Sequence, residues 1–267
     1  MTNAFLAGRR IAISISDAPE MGARGLGKEH LEDAMTEIAR HLLAWGAQLA
    51  YGGDLRPGGF TELLFELVNR YRRNEQIERI VVRNFLAWPV HASMPSLKAM
   101  EWQNALKGVA ELVFLAPDGK PISEKHAGEA VEPTPSEWRD GLTAMRKRMA
   151  SETDARIVLG GRTAGFKGRF PGIAEEALIQ LERKAPLYVL GGFGGCSLDI
   201  AAALGLSSVN GEPSWEGLEY FTSRRPEHLR NGLGLEENVT LARTVHADES
   251  CALIMRGLLR TLGQNSR

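Results

Sequence analysis

Three short apolar runs in this chain each end on a glycine pair, and each pair leads toward a helical pattern. Gln48–Tyr51 runs into Gly52-Gly53, Arg156–Leu159 into Gly160-Gly161, and Leu187–Leu190 into Gly191–Gly195, a GGFGG sequence. Short apolar runs alternating with amphipathic helices predict a parallel sheet with helices on both faces. The second and third pairs begin 31 residues apart (160 to 191), about one βαβ unit. In such a sheet the strand carboxyl ends share one edge, where open α/β folds bind ligands. The predicted fold class is therefore α/β, Rossmann-like, with a mostly parallel sheet. Glycine supplies 29 of the 267 residues, above the usual ~7%, and the excess gathers at these loops.

Other segments fit the same plan. Ile11–Ser16 reads as a first strand, followed by Leu31, Met35, Ile38 and Leu42 at helical spacing. Phe60, Leu64, Leu67 and Tyr71 mark a second helix. Arg79–Arg83 and Glu111–Leu115 read as strands, with a helix around Leu97–Leu106 between them. Pro117–Thr134 has little apolar content and no period, so it reads as a long exposed loop. Thr134-Pro135-Ser136-Glu137 is a capping box with proline at the first helical position. Residues 213–240 are weakly patterned, and Asp248–Leu262 is amphipathic. No linker divides residues 1–267, which read as one domain with 213–267 as a C-terminal extension.

Charge and composition narrow the function. Lys+Arg total 32 against 33 Asp+Glu, a net charge of −1, which argues against general nucleic-acid binding. Apolar stretches fall far short of the ~20 residues that span a bilayer, and the N-terminus lacks signal-peptide anatomy. The expectation is a cytoplasmic protein with no membrane partner. Cys196 and Cys251 make neither a disulfide framework nor a zinc cluster, and the histidines lack metal spacing. No metal or cofactor is expected. Cys196 follows GGFGG at a helix start, where a thiol pKa can fall, but it reads better as a small packing residue.

Glycine loops before helices make anion sites, because free N–H groups add to the helix dipole. Residues 52–61 offer Gly52, Gly53, Asp54, Arg56, Gly58, Gly59 and the Thr61 hydroxyl. Residues 160–172 offer Gly160, Gly161, Arg162, Lys167, Gly168 and Arg169. Gly191, Gly192, Phe193 and Gly194 form the third loop. Ser14, Ser16 and Asp17 close the first strand at the same edge. Phosphate, above all a diphosphate, is the natural guest. Neither a Walker A motif nor a properly placed G-x-G-x-x-G is present. Glu175 and Glu176 open a helix after the second loop. They serve either as ordinary helix-start acids or as a carboxylate aimed at a ribose. Arg146, Lys147 and Arg148 read most simply as a solvated helix face.

These residues resemble a known superfamily. RIAISIS followed by LAYGGDLRPGGFTELLFELV is similar to the opening of the cytokinin-activating LOG proteins, which carry a Y-G-G-G-x-x-G-L-M-G loop. MRKRMASETDARIVLGG (Met145–Gly161) resembles their R-K-x-x-M…A-D…L-P-G-G segment. GGRTAGFKGRFPGIAEE matches their P-G-G-x-G-T-x-x-E more loosely, with extra residues before the glutamates. The whole pattern, with PLYVLGGFGG, is similar to uncharacterised clusters of the SLOG superfamily. That superfamily joins LOG proteins, DNA-processing protein A, and the sensor domains of TRPM channels and Thoeris defence proteins. The resemblance covers roughly residues 10–205. It implies a module that binds a nucleotide-derived ligand, for instance an ADP-ribose-like signal, in bacterial signalling or defence. Occupancy would pass through the 117–134 loop, an oligomer contact or a separate effector protein. The enzymatic alternative is a nucleoside 5′-monophosphate phosphoribohydrolase, with Glu176 (or Glu175) and Arg146 (or Arg148) as the catalytic pair.

Overall fold

A computed structural model describes residues 4–53, 58–75, 81–122, 130–209, 211 and 213–263. Its seven strands are β1 (Arg10–Ser16), β2 (Gln48–Tyr51), β3 (Val82–Leu86), β4 (Ala110–Leu115), β5 (Pro121–Ile122), β6 (Ala155–Gly160) and β7 (Leu187–Leu190). They form one sheet in the order β5-β4-β3-β2-β1-β6-β7. Every pairing is parallel except β4 with β5. This is an α/β, Rossmann-like fold, as the alternation of runs and helices predicts. The helices are α1 (Lys28–Ala44), α2 (Phe60–Glu75), α3 (Trp88–Ala92), α4 (Ser96–Ala105), α5 (Pro135–Ser151), α6 (Gly172–Glu182), α7 (Gly195–Ala203), α8 (Glu219–Thr222), α9 (Leu235–Arg243) and α10 (Ala247–Leu262).

Strand alternation sorts the core into layers. Ile11, Ile13 and Ile15 of β1 pack with the apolar stripes of α1, α2 and α10 on one face. Ala12 of β1 meets Met145 and Met149 of α5 on the other. Val158 of β6 and Val189 of β7 pack on that second face with Ile173, Ala177 and Ile200 of α6 and α7. β6 is buried along its whole length, as a strand covered on both faces must be.

The Thr134 capping box forms as expected. The Glu137 amide donates to Thr134 Oγ1, and the Thr134 amide donates to the Glu137 carboxylate across 2.8 Å. The third strand runs over Val82–Leu86, where the buried pair Phe85-Leu86 seats it between β2 and β4; residues 79 and 80 of the expected Arg79–Arg83 run lie outside the described residues. Two expectations change. The 117–134 segment is not wholly loop. Ala116–Lys120 is a hairpin turn with Gly119 at φ 81°, and it folds β5 back on β4 at the sheet edge. Residues 213–240 also hold more order than their pattern suggests. The Asn231 side-chain amide donates to the Leu187 carbonyl on the outer edge of β7, and α9 then runs against that strand. Among the described residues no helix is long and apolar enough to cross a membrane.

Candidate functional site

The strand order reverses at β1. The chain steps outward from β1 to β2, β3 and β4, then returns through α5 to place β6 on the other flank of β1. The crevice beyond such a switch point is where open α/β sheets take ligands. Ser16 at the end of β1 pairs with Gly160 at the end of β6. Gly160 is left-handed at φ 67°, and a Cβ there would lie 2.4 Å from the Ser16 carbonyl. Only glycine lets the two strand ends approach this closely.

A cleft of about 480 Å³ opens at this switch point. Its walls come from Ile15–Asp17 after β1, Tyr51–Gly53 after β2, and Gly58–Thr61 at the start of α2. Lys28, Arg146, Arg162, Phe166 and Gly172 complete them. Among the described residues, three cations, Lys28, Arg146 and Arg162, thus share the lining with one carboxylate, Asp17. Arg162 lies 3.6 Å from that carboxylate and is more than half exposed. Lys28 Nζ donates to the Gly58 carbonyl across 2.8 Å, tying α1 to the loop before α2. Asn84 of β3 steadies the same wall by donating to the Gly53 carbonyl across 3.3 Å. The amides of Gly172 and Ile173 precede the first rung of the α6 ladder, which Glu175 makes to the Pro171 carbonyl. The positive end of the α6 dipole therefore meets the cleft.

At its deep end the cleft continues as a recess of about 170 Å³ lined by Ser14, Ile173, Arg146 and Glu176 among others. Here four buried charges pair off. Glu176 Oε2 accepts from Arg156 Nη1 at 2.6 Å and from the Ser14 hydroxyl, and Arg156 also donates to Ser14 Oγ at 2.7 Å. Arg146 Nη1 and the Thr143 hydroxyl both donate to Glu175. Arg146 Nε stands 3.8 Å from Glu176 Oε1, linking the pairs, and its Nη2 lies against Gly172. Arg156 is fully buried. Burial first, then the neighbouring Arg146, hold its pKa below the ordinary arginine value, and Glu176 offsets part of that.

The structure gathers most of the expected site residues and separates others. Ser16, Gly52, Gly53, Gly58, Gly59, Thr61 and Arg162 line the cleft, while Ser14, Arg146 and Glu176 line its recess. Asp54 and Arg56 lie outside the described residues. Gly161 serves a junction: its amide donates to Ser16, and its carbonyl accepts from Cys196 across 2.8 Å. Lys167 turns away and sits 3.8 Å over the Trp138 ring. Gly168 and Arg169 line a separate, larger cleft.

The third glycine loop is placed differently from the sequence reading. Gly191–Gly194 is wholly buried, and Phe193 is part of the core. A Cβ on Gly192 would lie 2.1 Å from the Thr244 carbonyl just beyond α9. That loop needs glycine for contact with its own chain, so it does not face the cleft. Cys196, fully buried beside it, has its thiol pushed up by burial, with Asp199 adding to the shift. It is a packing residue, as its setting suggested.

Sequence reasoning missed Arg156, Lys28 and Thr143. Arg156 was visible as one charge inside an otherwise apolar strand, a pattern that demands a buried partner. Lys28 and Thr143 carry no such signal, since helix surfaces commonly bear lysine and threonine.

Comparison with known families gives one match, to a family described as SLOG cluster2, over residues 5–213. No curated protein matches the chain.

Proposed function

The chain belongs to the SLOG cluster2 family, and on that premise we propose that it binds a phosphorylated nucleotide in the switch-point cleft and acts as a sensor module. The observation that carries this reading is the charge of the cleft. Among the described residues, Lys28, Arg146 and Arg162 converge with the α6 N-terminus on a space whose one lining carboxylate is Asp17; Lys28 also pairs with Glu32 at 2.6 Å and Arg146 with Glu175, both outside the lining. A phosphate there gains charge-assisted hydrogen bonds and a favourable dipole. At about 480 Å³ the cleft lies within the range of small-molecule pockets.

The second reading is a phosphoribohydrolase that cleaves AMP with water to adenine and ribose 5-phosphate. It is favoured by Glu176 and Arg146 both lining the recess. Against it, the Glu176 oxygen that accepts from Ser14 is also held by the fully buried Arg156. An oxygen already holding two hydrogen bonds has little capacity left to take a proton from water or ribose. Incubation with AMP, followed by chromatography for free adenine, separates the two. The sensor reading expects bound AMP and no adenine above a protein-free control. Adenine released in proportion to enzyme, and lost in Glu176→Gln, would establish the hydrolase instead.

A further inference from the structure

The larger cleft, about 1010 Å³, lies along the outer surface of α5, between the β4–β5 hairpin turn and the segment that follows β6. Phe166 belongs to the walls of both clefts, so the two spaces meet at this one ring. The ring is 37% exposed. The chain beside it is pinned, because Lys167 stacks on Trp138 and Arg169 lies 5.0 Å from the Phe170 ring. Phe166 is thereby presented as a ridge between two hollows.

The larger cleft also has cations to spare. Lys120 is paired with Asp118 at 2.8 Å, Arg139 with Asp140 at 3.0 Å, and Arg148 with Glu152 at 2.6 Å. Among the described residues Lys147 and Arg169 have no carboxylate partner, and Glu216 is the one lining acid without a cation. Two unneutralised cations face a hollow with one unneutralised acid. An exposed aromatic ring stands at the boundary with the first cationic cleft.

We infer that the two clefts form a composite site for a dinucleotide, two nucleotides joined through phosphate. This rests on the phosphorylated-nucleotide reading above. The first nucleotide occupies the switch-point cleft. The chain of the ligand crosses Phe166, which offers a stacking face to a base. A second phosphate meets Lys147 and Arg169. A mononucleotide fills only the first cleft and leaves those two cations unused.

The test is calorimetric titration of the full chain with AMP, with the linear dinucleotide pApA, and with a five-residue oligoadenylate. We expect pApA to bind at least about ten-fold tighter than AMP, the worth of one charged hydrogen bond. Lys147→Ala/Arg169→Ala should remove that advantage and leave AMP affinity within about two-fold, since neither side chain lines the first cleft. Phe166→Ala should weaken pApA more than AMP. AMP binding with no gain for pApA, or equal losses for both ligands in the double variant, would overturn the composite site and leave the mononucleotide reading standing. Binding of neither ligand would overturn both. A pentamer binding more than about ten-fold tighter than pApA would point to a nucleic-acid groove running past both clefts, and would also overturn it.

Discussion

Arg156 Nη1 donates to Glu176 Oε2 across 2.6 Å, and the arginine is wholly out of contact with solvent. The pair joins the inner half of β6 to the first turns of α6, directly beneath the recess. The same glutamate that the family resemblance nominates for catalysis is therefore a structural partner of a buried cation.

Breaking this pair should be costly, and replacing both partners should not. A buried charge left alone costs about 3–5 kcal/mol, whereas an apolar replacement of the whole pair is often near neutral. Arg156→Met should destabilise by about that amount in urea denaturation. Arg156→Met/Glu176→Leu should recover most of the loss. A double variant as unstable as the single one would show that the pair is not the dominant interaction there.

Gly192 should be required for folding rather than for ligand. A Cβ at this position meets the backbone carbonyls of Thr244 and Arg243 at 2.1 and 2.9 Å, and backbone cannot swing aside as a side chain can. Gly192→Val should lower the melting temperature by several degrees, on the scale of a strained overpacked site at about 1–3 kcal/mol. Any protein that still folds should keep its nucleotide affinity. A folded variant of unchanged stability that has lost ligand would place this loop back at the binding edge.

Acid should loosen the C-terminal helices through Glu237. Hydrogen bonds from Arg256, the Gly234 amide and Arg260 hold its pKa down to about 2 from an ordinary 4.5. Its folded-state pKa is depressed. Its contribution is therefore complete above the ordinary carboxylate value and disappears as pH falls toward 2. The group is partly exposed and its arginine partners are half exposed, so the effect is modest. Glu237→Gln should lower the melting temperature at pH 7 by about 2 °C, the scale of a small surface ion-pair network. The gap from wild type should shrink steadily below pH 4.5. A gap that stays constant down to pH 3 would exclude this ionic origin.

Much of this architecture was readable because glycine and apolar runs report directly on backbone geometry. The runs before Gly52, Gly160 and Gly191 are strands β2, β6 and β7, and Ser16 and Gly160 meet at the edge they predict. The Thr134 capping box was equally legible, since its bonds are local in sequence. The C-terminal half of β3 was not, because Asn84 interrupts the apolar run, and its reward is a hydrogen bond to the Gly53 carbonyl, 31 residues away. The burial of Gly191–Gly194 was hidden for a similar reason: what covers it is the backbone of Ala242–Thr244, just past the weakly patterned 213–240 segment and about 50 residues away. Cations were the least legible. Arg162, Lys167 and Arg169 lie within eight residues, yet one lines the switch-point cleft, one caps Trp138 and one lines the neighbouring cleft. A loop's path decides which way each points, and composition does not encode that path.

The most direct test of the account is a paired titration of AMP and adenosine into wild type and Arg162→Ala. Among the described lining cations, Arg162 has the loosest carboxylate contact, with Asp17 at 3.6 Å, and so yields most readily to a ligand. Wild type should bind AMP more tightly than adenosine. Arg162→Ala should weaken AMP by roughly 1.5 kcal/mol, about ten-fold, at the lower end for a charged hydrogen bond, and should leave adenosine unchanged. Adenosine bound as tightly as AMP, or equal losses for both ligands, would contradict the assignment of this cleft to a phosphate.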